Sequence, residues 1–270
     1  MTPRHRLALR QPLPWSVLLG YLQPRLIGDR ERIDGDAYER RTAAGTVRVS
    51  LAGNDSSSGT GSGDALEVEA PDALTAIELR RRVGALFAID EDPRAGAAHL
   101  QRDPLMAPRL ARLPGLRPLG GWDAFELCLR TVLGQQVSVA AAGTLMRRLQ
   151  SRCGDELTPA RVRDADLSAM GLTTRRAETL KTLARAVDDG ALDLTSAWPH
   201  IERVLHELPG FGPWTRDYLA IRLGRQPDAF PHTDLGLVRA AGADSPHALL
   251  RQADAWRPYR ALAAVYLWAG

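Results

Sequence analysis

Lysine is almost absent from this chain: Lys181 stands alone against 34 arginines. A GC-rich genome produces such a composition, but the scarcity also bears on chemistry. Imine formation on a side-chain amine needs a lysine, and a single position supplies one. Cysteine is nearly as rare. Cys128 and Cys153 are too few for a cluster held by four thiolates, and too far apart in sequence for a metal knuckle. They read as reduced thiols of a cytoplasmic protein. No apolar run approaches the roughly 20 residues of a membrane span. The opening MTPRHRLALRQPLPW lacks the long apolar stretch and small-residue cleavage site of a secretory signal. A dominant charge is missing as well, since 35 basic against 32 acidic residues leave a net +3. That balance permits a nucleic-acid partner without requiring one.

What is present suffices for a sizeable core: 270 residues, 44% of them hydrophobic. Residues 1–71 read as a small antiparallel α/β unit. Strands are expected at His5–Arg10, Ala37–Arg41, Thr46–Leu51 and Ala65–Ala70, with a helix carrying Trp15, Leu18, Leu19 and Leu22 after the first. GNDSSSGTGSGD at 53–64 reads as a Gly/Ser loop between two strands. From about residue 72 the chain reads as helices, the first capped by Asp72 and running through Phe87. Asp123 caps another and Ser138 opens the next; further helices are expected at about 158–170, 174–188, 201–208, 213–223, 234–242 and 247–268. The fold class is α+β, in four segments: 1–71, a helical 72–121, a helical 122–230 and a C-terminal helical 231–270.

The most informative stretch is IERVLHELPGFGPWTRDYLAIR at 201–222. A short amphipathic helix ends at Leu208, two glycines one residue apart make a sharp turn, and Pro213 takes the first position of the next helix. The free N–H groups behind that turn form an anion site. LPGLRP at 113–118 shares the first three residues but lacks the second glycine. The complete motif resembles the helix-hairpin-helix element of DNA-binding proteins, which implies a backbone phosphate held at Gly210, Gly212, Trp214 and Thr215. It also implies a monovalent cation on the carbonyls of His206, Leu208 and Phe211.

Phe230-Pro231-His232-Thr233-Asp234 follows, opening another helix. Hairpin, Gly/Pro segment and helix-starting aspartate together resemble the helix-hairpin-helix glycosylases. PWSVLLGYL (14–22), DAFELCLRTVLGQQVSVAAA (123–142) and WRPYRALAAVYLW (256–268) narrow the likeness to the AlkA-type 3-methyladenine DNA glycosylase II family, over almost the whole chain. The resemblance implies a TBP-like N-terminal domain before an all-helical glycosylase body. It further implies hydrolysis of the glycosidic bond of alkylated bases flipped out of double-stranded DNA, by a cytoplasmic monomer with no required cofactor and no iron–sulfur cluster. Asp234 is then the catalytic carboxylate, and Tyr21, Trp214, Tyr218 and Trp268 line the base pocket. Gln136 is the wedge that fills the emptied stack. Two departures stand out: the family's wedge is typically leucine, and its frequent tyrosine after the aspartate is Leu235 here. Trp214 occupies the position where bifunctional relatives carry their lysine, which implies a monofunctional enzyme. A same-fold glycosylase for oxidised or deaminated bases, and a non-catalytic lesion sensor, stay open at this stage.

Overall fold

A computed structural model describes residues 3–52, 64–154 and 156–270. All but the last residue of the Gly/Ser stretch at 53–64 lies outside the described residues.

The N-terminal part is one antiparallel sheet with an inserted helix. In chain order the elements are β1 (Arg4–Ala8), α1 (Trp15–Leu22), β2 (Glu31–Asp34), β3 (Ala37–Thr42), β4 (Gly45–Leu51) and β5 (Ala65–Glu69). The strands lie in the order β1-β5-β4-β3-β2. Alternation in β4 turns Val47, Val49 and Leu51 to the core. The register sets Tyr38 opposite Val49 and Arg40 opposite Val47. Trp15 packs its ring on Phe87 at 4.7 Å and donates its indole N–H to Asp36 O, pinning α1 across the sheet.

β2 was not expected from the sequence. Its inward residue is Glu31, 7% exposed, which no hydrophobic pattern reveals. The carboxylate accepts from Tyr38 Oη (2.6 Å), Arg40 Nη1 (2.8 Å) and Ile27 N (2.7 Å). Burial pushes its pKa up, yet Arg40, Tyr38 and the Ile27 amide together bring it below the ordinary value. Arg40 continues into a bidentate pair with Glu126, at 2.8 and 2.6 Å. That fork ties the sheet to the helical body.

The body comprises α2 (Ala76–Phe87), α3 (Arg94–Leu100), α4 (Ala107–Arg112), α5 (Ala124–Leu133), α6 (Val139–Cys153), α7 (Pro159–Asp164), α8 (Thr174–Asp188), α9 (Trp198–Glu207), α10 (Pro213–Arg222), α11 (Leu235–Ala240), α12 (Pro246–Gln252) and α13 (Arg260–Trp268). Asp123 and Ser138 cap α5 and α6 as expected, each accepting from the third helical N–H. Three expectations are corrected, the first being the helix at about 158–170, which ends at Asp164 and is followed by a separate 3-10 turn at Ser168–Met170. The cap of α2 is Thr75, in a reciprocal capping box with Glu78, because Asp72 precedes a turn before the helix. The helix expected over 247–268 breaks into α12, a 3-10 turn at Ala253–Trp256 and α13, since Pro258 offers no N–H to continue it.

Two hydrophobic cores result. One unites the sheet, α1, α2 and the C-terminal helices around Trp256, Tyr38 and Tyr266. The other fills residues 125–220 around Met146, Leu180 and Phe211, with Ile27 the one N-terminal residue reaching it among the described residues. Among the described residues no helix is long and apolar enough to cross a membrane, and both cysteines are free and buried.

Candidate active site

A cleft of about 1260 Å³ opens where the two cores meet. Tyr21 and Trp268 enter it from the first core; α5, α6, α8 and the α9–α10 turn enter it from the second.

The turn between α9 and α10 is built as its glycines demand. Gly210 holds φ +90°, and a Cβ there would lie 2.2 Å from Thr179 Oγ1 on α8. Any side chain would break that seat. Phe211 buries its ring in the second core at 2% exposure. Gly212 is the exposed N-cap of α10 and has no side chain to satisfy the first N–H groups. Gly212, Trp214 and Thr215 line the cleft, so this uncapped helix start borders it.

Asp234 caps α11, its Oδ1 accepting from Leu237 N (2.9 Å). Its Oδ2 accepts from Trp214 Nε1 (2.7 Å), so helix cap and cleft wall share one carboxylate. Among the described cleft residues Asp234 is the only carboxylate, and Arg25, Arg130, Arg175, Arg176 and Arg239 line the same cleft. No lysine lines the cleft: Lys181 sits on α8 outside it. His232 does not line it either.

Trp214 and Tyr218, one helical turn apart, stack at 5.4 Å, and Trp268 tilts against Tyr218 at 5.3 Å. Tyr21 completes the wall, but Arg25 covers its ring at 3.8 Å to the centroid. That face is therefore already engaged. Burial raises the Tyr218 hydroxyl, but Arg222, Arg130 and Arg25 more than offset it, so its pKa lies below the ordinary tyrosine value. At the rim, Gln136 is exposed at the tip of the α5–α6 turn with φ +58°, a backbone that a non-glycine residue adopts rarely. Leu235, 65% exposed, stands at the opposite rim.

Of the three carbonyl-bearing residues expected at a cation, Leu208 and Phe211 border the cleft and His206 does not. Leu208 O accepts from Phe211 N (3.3 Å), and Phe211 O accepts from Arg216 Nη1 (2.8 Å). Both oxygens thus already accept one hydrogen bond within the hairpin. Among the described residues no group of three or more His, Cys, Asp or Glu could hold a metal.

Sequence reasoning missed Gln135 and the arginines of the cleft. Arg175 and Arg176 follow a helix-capping Thr173, and Arg25 and Arg130 lie on helical turns; in each case only packing defines the cleft side.

Residues 4–123 match the AlkA N-terminal domain, and residues 129–247 match the HhH-GPD superfamily of base excision DNA repair proteins. The chain is 32% identical to the DNA-3-methyladenine glycosylase 2 of Escherichia coli K12, over 95% of this chain and 94% of that protein. Its fold is similar to the 3-methyladenine DNA glycosylase of Archaeoglobus fulgidus (TM-score 0.79, 18% identity, 98% of this chain and 97% of the other). It is also similar to the Schizosaccharomyces pombe 3-methyladenine DNA glycosylase Mag1, solved with abasic DNA (TM-score 0.58, 24% identity, 64% of this chain and 95% of that one).

Proposed function

The chain belongs to the DNA-3-methyladenine glycosylase 2 family, an AlkA N-terminal domain joined to an HhH-GPD repair domain, and we propose that Asp234 is its catalytic carboxylate. The protein removes alkylated bases in base excision repair by hydrolysing their N-glycosidic bonds. The observation that carries the assignment is the isolation of Asp234: one carboxylate, held by Trp214 and Leu237 N, in a cleft whose other described charged residues are all arginines.

Double-stranded DNA carrying the lesion lies across the cleft mouth. Backbone phosphates meet the free N–H groups behind Gly212 and the surrounding guanidiniums. The damaged nucleotide rotates out of the stack into the aromatic wall, and Gln136 fills the gap it leaves. A purine alkylated at N3 or N7 is cationic and gains about 0.5 to 2 kcal/mol on each aromatic face. Trp214, Tyr218 and Trp268 provide those faces, since Arg25 covers Tyr21.

The cationic base departs with the electron pair of its C1′–N bond, and needs no acid to protonate it first. The deoxyribose is left as an oxocarbenium ion, which the Asp234 carboxylate stabilises. Asp234 then orients a water whose oxygen bonds to C1′, while its proton passes to the carboxylate and on to solvent. The product is an abasic site. With Trp214 in the hairpin and no lysine among the described cleft residues, no side-chain amine there can form an imine with C1′, which supports a monofunctional enzyme. One chain supplies every group used, consistent with action as a monomer.

The test is base release from methylated duplex DNA. Asp234→Asn should keep the fold and DNA affinity but lose excision by about 10²-fold or more. Near-normal release by that variant, or a borohydride-trapped enzyme–DNA adduct in the parent, would overturn the assignment.

A further inference from the structure

Two glutamines sit side by side in the α5–α6 turn and face opposite ways. Gln136 projects from the tip at φ +58° and is exposed. Gln135 turns back into the protein. Its Nε2 donates to Gly210 O (2.9 Å) and to Thr215 Oγ1 (2.9 Å). Both acceptors belong to the hairpin: Gly210 is its turn, and Thr215 is in the first turn of α10. The main-chain oxygen of Gln135 accepts from Arg176 Nη2 (2.6 Å).

One helix underlies both structures. Arg176 and Thr179 are three residues apart on α8, hence on one face. Arg176 holds the α5–α6 turn through Gln135 O, while Thr179 forms the seat on which Gly210 rests. The side-chain amide of Gln135 closes the triangle from above. A nucleotide-flipping protein needs this closure. A phosphate gripped at one point and a side chain inserted into the stack at another act together only if their separation is fixed. A tip residue with a left-handed backbone gains nothing from its own φ to hold it there, so its support must come from neighbouring contacts.

We propose that Gln135 is a positioning residue that locks the wedge turn to the phosphate-gripping hairpin, so that gripping the backbone sets the register of Gln136 in the stack. This rests on reading Gln136 as the wedge and the hairpin as the grip. In this role Gln135 acts through Gln136 and the hairpin, the groups its amide and main chain are bound beside. Its carboxamide is suited to this because it presents two donors on one nitrogen, where a carboxylate would repel the Gly210 carbonyl and keep only the Thr215 hydroxyl as a donor to it.

The experiment is a double-mutant cycle read on two substrates. Single-turnover excision of one lesion is measured in duplex and in single-stranded DNA for the parent, Gln135→Ala, Gln136→Ala and the double variant, with melting temperatures alongside. Gln135→Met, which keeps the length and loses the amide, guards against a folding defect in the alanine variant. Gln136→Ala should lower the duplex-to-single-strand ratio. Gln135→Ala and Gln135→Met should each lower it by about tenfold, the scale of two lost hydrogen bonds. In the double variant, Gln135→Ala should cost less than about twofold beyond Gln136→Ala alone, because without the wedge there is nothing to position. If Gln136→Ala leaves the ratio unchanged, the wedge reading falls and the coupling with it. If Gln136→Ala lowers the ratio but the Gln135 variants do not, or their loss adds in full, the coupling alone is overturned. Equal losses on both substrates that track a lower melting temperature would mark Gln135 as purely structural and overturn it too.

Discussion

The chain uses Leu-Pro-Gly twice, and the two turns end in opposite states. At Leu113-Pro114-Gly115 the glycine takes φ +75° and packs against Pro14, a Cβ there lying 3.0 Å from the proline ring. Everything after it turns inward. Leu116 is fully buried, Arg117 is 2% exposed, and the Arg117 guanidinium donates to Glu91 O and Gly115 O. Tyr266 Oη donates to Leu113 O, sealing the turn from the other side. At Leu208-Pro209-Gly210 the glycine takes φ +90° against Thr179, but the next glycine is exposed and a helix starts at Pro213 with its first N–H groups uncapped. One turn consumes its polar groups and the other presents them. The second glycine and the helix after it make the difference, since an uncapped helix start is where unpaired N–H groups gather.

The sealed side extends from the first turn to the junction of Glu126 with Arg40, whose side chains are 6% and 3% exposed. The largest stability effect is expected there. Glu126→Ala leaves Arg40 with half its carboxylate partners in a buried site, and should cost about 3–5 kcal/mol in denaturant unfolding. A loss under about 1 kcal/mol would mean that water or Glu31 satisfies Arg40 alone, and the contrast between sealed and open sides would blur.

Next come the two glycines themselves. Gly210→Ala should cost about 2 kcal/mol of stability and weaken binding to duplex DNA by about tenfold, through the left-handed φ and the collision with Thr179. Gly115→Ala should cost about 1 kcal/mol for its own φ and leave DNA affinity intact. Comparable losses of DNA affinity in both variants would erase the distinction between the turns.

The smallest effect belongs to the far face of α10. Burial raises the Asp217 carboxyl to about 6, with Glu202 adding to the rise and Arg216 and Arg260 opposing it. The unfolded carboxyl releases its proton near 3.9. Between those values the folded state holds more protons, so stability falls as pH rises from about 4 to 6 and stays reduced above. Asp217→Asn should therefore melt higher than the parent at pH 7.5, with the difference vanishing near pH 4. A difference independent of pH would point to packing instead.

Much of this was legible beforehand, for identifiable reasons. Strands β1, β3, β4 and β5 showed themselves by alternation, and the caps Asp123 and Ser138 by residue type before an apolar period. The hairpin motif was readable because glycine and proline report backbone geometry directly. β2 was hidden because its core-facing position is a paired glutamate, and the break before α13 was hidden because apolar periodicity runs on across Pro258. Gln135 and Gln136 are identical letters. Nothing local distinguishes the one that faces the hairpin from the one that faces outward.

Sequence by itself determined the family and most of the elements, and put Asp234 forward as the candidate carboxylate, because each rests on local chemistry or on the order of motifs. Tertiary structure alone decided that Asp234 accepts from Trp214, that Arg25 covers Tyr21, that Arg216 takes a hairpin carbonyl, and that Gln135 reaches the hairpin at residues 75 and 80 positions downstream. Those are relations between side chains brought together by packing. A hydrogen bond depends on ångström separations that no residue type or spacing encodes.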